Sequence, residues 1–178
     1  MLFQGLFTPS RTRVAGEALY ASAARQARQP AFYASLGVAD SAEKRFELLT
    51  LHVTLIVLRL RGQGEAAGET SQHLFDTFVQ ALDDALREMG VGDLSVGKKM
   101  RKLGEAFYGR ARAYEEALAA LPDDKALKDL IARTALDETD ASRAATLADY
   151  VSRTREALDG QSLSDLLDGR VAWPHVTP

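Results

Sequence analysis

The sequence predicts an all-α fold, a compact multi-helix bundle forming one domain over 1–178. Three features carry that expectation. Apolar residues recur at spacings of three and four almost throughout, the period of a helix face, and the alternation of a half-buried strand is missing. Only five prolines occur, and the glycines gather at breaks between periodic stretches instead of at regular hairpin spacing. With 178 residues, 46% of them hydrophobic and 26% charged, the chain can bury one core of ordinary size, and no linker is long enough to separate a second.

Each element has a local reason. Ser10 caps a first helix over about 11–28, since its hydroxyl can satisfy an N-terminal backbone N–H. Pro30 opens a short helical turn that ends at Leu36 and Gly37. Asp40 or Ser41 caps a helix over about 42–61, stopped by Gly62-Gln63-Gly64. Its run FELLTLHVTLIVLRL (Phe46–Leu60) is the most hydrophobic in the chain. A membrane span needs roughly 20 apolar residues, and this shorter run carries Glu47, His52 and Arg59. It is therefore expected as a central, nearly all-apolar helix of the bundle. Arg45, His52 and Arg59 fall on one line of that helix, and Glu47, Thr50, Thr54 and Arg61 on another. The two seams either have partners on both sides or leave one facing water.

A fourth helix is expected from about Thr70 to Met89, ending at Gly90. Phe75, Phe78, Val79, Leu82, Leu86 and Met89 form its apolar stripe, and Asp83 can pair with Arg87 one turn on. GVGDLSVG reads as a linker. A fifth helix runs from about Lys98 to Leu121, with Met100, Leu103, Phe107, Ala111, Tyr114, Leu118 and Leu121 in its stripe, and Pro122 ends it. Asp123 or Asp124 caps a sixth, Asp140 or Ser142 a seventh ending at Gly160, and Ser162 a short eighth. These C-terminal helices fill about 123–168. The tail VAWPHVTP is expected to lie across the body, anchored by Trp173. At the other end, Leu2, Phe3, Leu6 and Phe7 precede Arg11 and Arg13, the reverse of a secretory signal. They read as a terminus docked on the body rather than a membrane-surface segment.

The formal net charge of −3 and pI near 5.7 give no global field for polyanions, so DNA is not an expected partner. Without cysteine there is no disulfide framework, thiol nucleophile or iron–sulfur site. His52, His73 and His175 have no second histidine or carboxylate pair at ligand spacing. His52, mid-way along the apolar helix, reads as a hydrogen-bonded core histidine; His73 and His175 read as exposed. No phosphate-binding glycine loop or nucleophile motif is present. No catalytic residue, metal or cofactor is expected, and the protein is read as binding another protein.

The sharpest charge feature is Lys98, Lys99, Arg101 and Lys102. Placed at the start of the fifth helix, these cations would oppose the backbone dipole by about 0.3–1 kcal/mol each. They are either a solvated face balanced by Glu105, Glu115 and Glu116, or a site for an acidic segment, ribosomal RNA or anionic headgroups. Gly104 and Gly109 each cost roughly 1 kcal/mol against alanine. Close helix packing is the expected reason for Gly104, and close approach of a bound chain for the outward Gly109. Phe107 points inward and Tyr108 toward the rim.

FELLTLHVTLIVLRL, followed by QHLFDTFVQALDDALREMGVGDLSVGKKMRKLGEAFYGRARAYEEAL, resembles the ubiquinol–cytochrome c chaperone family over about 33–121. LREMGVGDLSVGKKM and FYGR are the specific motifs. The resemblance implies an assembly factor for the respiratory cytochrome bc complex, complex III, that binds newly made cytochrome b. Mitochondrial relatives act with a small partner and associate with the ribosome. A bacterial form is implied here, cytoplasmic and peripheral on the inner membrane. The matched positions are Asp83, Arg87, Glu88, Met89, Gly90, Gly92, Asp93, Lys98, Lys99, Met100, Phe107, Tyr108, Gly109 and Arg110. Gly97 stands where members often carry proline. Lys98, Lys99, Arg101, Tyr108 and Arg110 are expected to face the partner, and Phe75, Phe78, Leu86, Met100, Leu103 and Phe107 to be core. The competing readings are a ribosome- or RNA-associated module, a structural homodimer paired through the polar seams, and, last, an enzyme using the Arg45–His52–Arg59 seam.

Overall fold

A computed structural model describes residues 9–136 and 141–177; Leu2, Phe3, Leu6, Phe7 and Asp140 lie outside the described residues. Among the described residues there are eight helices and no strand: α1 (Arg11–Ala27), α2 (Pro30–Ala34), α3 (Ala42–Leu60), α4 (Glu65–Glu88), α5 (Asp93–Ala119), α6 (Lys125–Thr134), α7 (Ala141–Gly160) and α8 (Leu163–Leu167). None of them is long and apolar enough to cross a membrane. Ser10, Ser41 and Ser162 occupy the expected cap positions, each hydroxyl accepting from the backbone N–H three residues on. At α6 the cap position belongs to Asp124, but the capping oxygen is supplied by Asp123, which accepts from Lys125 N at 3.1 Å. Ser142 lies inside α7 and does not cap it.

The largest departure from the sequence reading is the start of α5. It begins at Asp93, so most of the expected linker is helix. The chain turns within Gly90-Val91-Gly92, where the N–H groups of Val91 and Gly90 bond Leu86 O and Arg87 O at 3.0 and 2.9 Å. These are the two bonds of a Schellman closure, with Gly90 at φ +80° supplying the left-handed residue it requires. Arg87 spans the turn, bonding Asp83 at 2.6 Å on one side and Asp93 on the other. Asp93 in the first turn suits the helix dipole, and Lys98 falls beyond that turn, where the penalty has faded.

α3 packs against α1, α4, α5 and α7, and most of its side chains are buried. Both polar seams find protein partners. Arg45 pairs with Asp40, and Arg59 donates to Leu158 O and Gln161 O at 2.8 and 3.1 Å, satisfying carbonyls at the end of α7. On the other line Glu47 pairs with Arg110, and Arg61 with Glu115. Thr50 and Thr54 are the exception: their buried hydroxyls have no hydrogen-bond partner among the described residues.

His52 is the core histidine the sequence implies. Its Nδ1 lies 2.7 Å from Leu48 O and its Nε2 2.9 Å from the Tyr150 hydroxyl, which in turn accepts from Gln26. A carbonyl can only accept, so Nδ1 carries the proton and Nε2 accepts from Tyr150. Phe32 packs edge-on to both rings. Trp173 closes the cluster, its ring 5.2 Å from His52 and its Nε1 donating to Ser22 at 3.0 Å. The C-terminal tail is anchored as expected.

α1 lies along α4 and runs in the same direction. They approach most closely at Gly16, where an added Cβ would sit 2.6 Å from His73 Cβ and 2.7 Å from Leu74 N. His73 is thus half-buried in the α1–α4 contact and not freely exposed.

Candidate functional site

Periodicity shows which face of a helix is apolar, but not whether another element covers it. Four helix ends meet at one end of the bundle: the C-termini of α1 and α4 and the N-termini of α3 and α5. They leave a groove of about 570 Å³ open there. Ala24 and Ala27 of α1 form one wall. Phe46 and Leu49 of α3 form the floor, and Leu82, Leu86 and Met89 of α4 with Leu103 of α5 form the opposite wall. Tyr20, Tyr33, Arg28, Glu43 and Arg45 edge it. Burial raises the phenol pKa of both tyrosines, and Tyr33 donates its hydroxyl to Ala27 O at 2.9 Å. Arg45 is held by Asp40, whose carboxyl stays below its ordinary range because of that bond. The walls and floor of such a surface are apolar. It can hold an apolar or amphipathic segment, with the alanines of α1 leaving room for bulky side chains.

The residues expected to be core divide accordingly. Phe78, Leu86 and Phe107 are buried, and Phe75 packs on Phe78 and Phe107. Met100 and Leu103 are only half-buried and lie outside the core cluster, contrary to the sequence reading. In the N-terminal half of α5 only Val96 is buried; the continuous buried face starts at Phe107.

The residues expected to face a partner do not form one patch. Lys98, Lys99 and Arg101 are exposed and, with Lys102, have no ion-pair or hydrogen-bond partner among the described residues. The same holds for Arg25 and Arg28 at the end of α1. These six cations thus sit at the groove end of the molecule. Tyr108 lies farther along α5, 63% exposed, with its ring against Phe75 and Phe107 at 5.6 and 5.8 Å. Arg110 points to the other flank. It grips Glu47 through two bonds of 2.9 and 2.8 Å, and Glu47 is almost wholly buried. Its guanidinium holds α5 to α3.

The matched motif is largely turn-building. Asp83, Arg87, Gly90, Gly92 and Asp93 make the α4–α5 turn, Glu88 is exposed on it, and Met89 projects with 61% of its surface accessible. Neither Gly104 nor Gly109 is explained by packing, since an added Cβ at either meets nothing within 4 Å. Close packing at Gly104 is thereby ruled out as the reason for it. Gly109→Ala is accordingly expected to stabilise the free protein by up to about 1 kcal/mol, read as a higher urea midpoint at unchanged slope. A loss of stability would mean that the outward face of α5 is not open.

The fold recurs in a solved structure. The crystal structure of the Cbp3 homolog from Brucella abortus superimposes with a TM-score of 0.85 at 34% identity, covering 93% of this chain and 92% of that one. Ubiquinol-cytochrome-c reductase complex assembly factor 1 of Xenopus laevis is 23% identical over 92% of this chain and 82% of its own length. The mouse protein of that name is 24% identical over 92% of this chain, which spans only 56% of it. The family model described as ubiquinol-cytochrome C chaperone matches residues 34–173, from the end of α2 to the anchoring Trp173, with α1 lying outside the match. This chain therefore belongs to the ubiquinol–cytochrome c chaperone family, whose members are assembly factors and not enzymes.

Proposed function

We propose that this protein is an assembly chaperone for ubiquinol–cytochrome c reductase and that newly made cytochrome b is its client. The supporting observation is the groove: an apolar trough, open at one end of a rigid helical body, in a chain of this family. A polytopic membrane protein exposes apolar helices before its partners arrive, and such a trough shields one amphipathic segment by burying its apolar face. Lys98, Lys99 and Arg101 stand beside the mouth and hold an anionic partner surface there, while Tyr108 extends the contact along α5. The protein works at the cytoplasmic face of the inner membrane, associated peripherally. Release follows when the next subunit competes for the same face.

Capture from the native host tests this. After mild crosslinking, cytochrome b should be enriched with the wild-type protein. Leu103→Glu, which places a charge in the groove at a position outside the core, should reduce that enrichment at least tenfold, because a buried unpaired carboxylate opposes apolar docking. Absence of cytochrome b from the wild-type eluate, with the bait folded and abundant, would falsify the client assignment. Undiminished capture by Leu103→Glu would move the site out of the groove.

A further inference from the structure

We infer that the α4–α5 tip seats this protein on an anionic lipid surface, with Leu94 and Met89 entering the headgroup layer and Lys98, Lys99, Arg101 and Lys102 lying on it. The inference rests on the peripheral placement proposed above and names the surface responsible: the anionic surface that Lys98, Lys99 and Arg101 meet beside the groove mouth is the headgroup layer, and Met89 is shared with the groove wall.

Exposure and charge carry it together. Leu94 is fully exposed and Met89 is 61% exposed, and these are two of the four large apolar side chains most open to water in the described structure. They stand at the two sides of a turn fixed by the Arg87 bridge to Asp83 and Asp93. A rigid turn that projects two apolar side chains gains by burying them and loses little entropy in doing so. Directly behind them come the four unpartnered cations, whereas Arg13, Arg61, Arg112, Lys125, Arg153 and Arg155 are all spent on a neighbouring carboxylate. Arg25 and Arg28 add two free cations at the same end. Of the acidic groups on the tip, Asp83 and Asp93 are both bound to Arg87, and Asp84, Glu88 and Glu105 are left to oppose the field.

Apolar tip residues flanked by lysine and arginine suit a headgroup layer, where both kinds of side chain are satisfied. Nucleic acid fits less well. It would use the cations, but Leu94 and Met89 offer it neither stacking nor hydrogen bonds, and the exposed aromatic of α5, Tyr108, lies more than two turns away. None of the four tip cations lines the groove. With the tip on the membrane, the groove opens beside the surface, where a client emerging from the bilayer would meet it.

Vesicle flotation with the purified full chain tests the inference without any client. Wild-type protein should float with phosphatidylglycerol-containing vesicles and not with pure phosphatidylcholine, and binding should weaken as salt rises. Each surface cation is worth about a fivefold change in affinity, so Lys98→Gln/Lys99→Gln/Arg101→Gln/Lys102→Gln should bind at least a hundredfold more weakly. Leu94→Ser should weaken vesicle binding several-fold while leaving any binding of a single-stranded RNA probe unchanged. All these positions are exposed or half-exposed, and matching urea midpoints will show that the variants fold. Anionic vesicles bound equally by wild type and both variants would leave the peripheral placement standing and overturn the tip. No wild-type binding to anionic vesicles would overturn both. RNA binding that needs the cations, without vesicle binding, would reassign the patch to nucleic acid.

Discussion

Gly16→Val is expected to destabilise the protein by about 3 kcal/mol, toward the upper end of what overpacking a tight contact costs. Helix propensity alone argues the opposite sign, since glycine is the poorer helix former by a few tenths of a kcal/mol against valine and by about 1 against alanine. Sterics outweigh it here because the nearest atoms, His73 Cβ, Leu74 N and the carbonyl carbon of His73, are all fixed by the α4 backbone and cannot rotate away. Gly16→Ala should show the same conflict on a smaller scale and still destabilise. Urea unfolding of Gly16→Ala beside Gly109→Ala makes the comparison direct: one substitution in two helices, with opposite expected signs. If both variants gain stability, α1 does not sit on α4 as closely as described.

Acid should weaken the protein well before its carboxylates titrate. Burial holds the His52 imidazole neutral and lowers its pKa from 6.5 to about 4, with the Leu48 carbonyl bond acting in the other direction. Its lowered folded value means that the unfolded chain takes up the proton first as pH falls. The associated stability is complete above pH 6.5, is lost between there and about pH 4, and then levels off. The loss is about 1 kcal/mol at pH 5.5 and about 2–3 kcal/mol at pH 4.5. Asp40, Asp165 and Asp168 are held below the ordinary carboxyl value of 3.8 by their hydrogen-bonded partners, so they contribute only in stronger acid. Unfolding free energies measured from pH 7.5 to 4.5 should therefore slope downward in the wild type. His52→Gln should start lower and run nearly flat over that range. An equal slope in both proteins would assign the acid sensitivity elsewhere.

What the sequence revealed and what it hid follow one division. Features decided within a few residues were legible: the serine caps, the stop at Gly90, the Asp83–Arg87 pair and the apolar face of each long helix. His52 was legible too, because a polar side chain amid an apolar run must find internal partners. Features decided by distant chain were not. Arg110 and Lys98 read alike, as outward cations on α5, yet Arg110 is consumed by Glu47 on α3 and Lys98 has no partner. Met100 and Leu103 share the period of true core residues, and only the missing neighbour distinguishes them. Gly16 was invisible because an alanine-rich helix gives no sign of which turn another backbone touches. The α5 start was misplaced for a local reason. Three glycines and a serine suggested a linker, but the Schellman closure at Gly90 and the acidic first residue let the helix begin at once.

The contacts around His52 also set an order of assembly. α4 and α5 are neighbours joined by a four-residue turn, so their pairing closes a small loop and can form early. The polar cluster in the core is made instead by contacts 98, 124 and 151 residues apart in sequence, through Tyr150, Gln26 and Trp173. A chain leaving the ribosome N-terminus first cannot complete that cluster until Trp173 has emerged. Until Tyr150 emerges His52 has a bare Nε2, and until Trp173 follows Ser22 has no indole, so the half-made protein holds the four helices that line its groove around an unfinished centre.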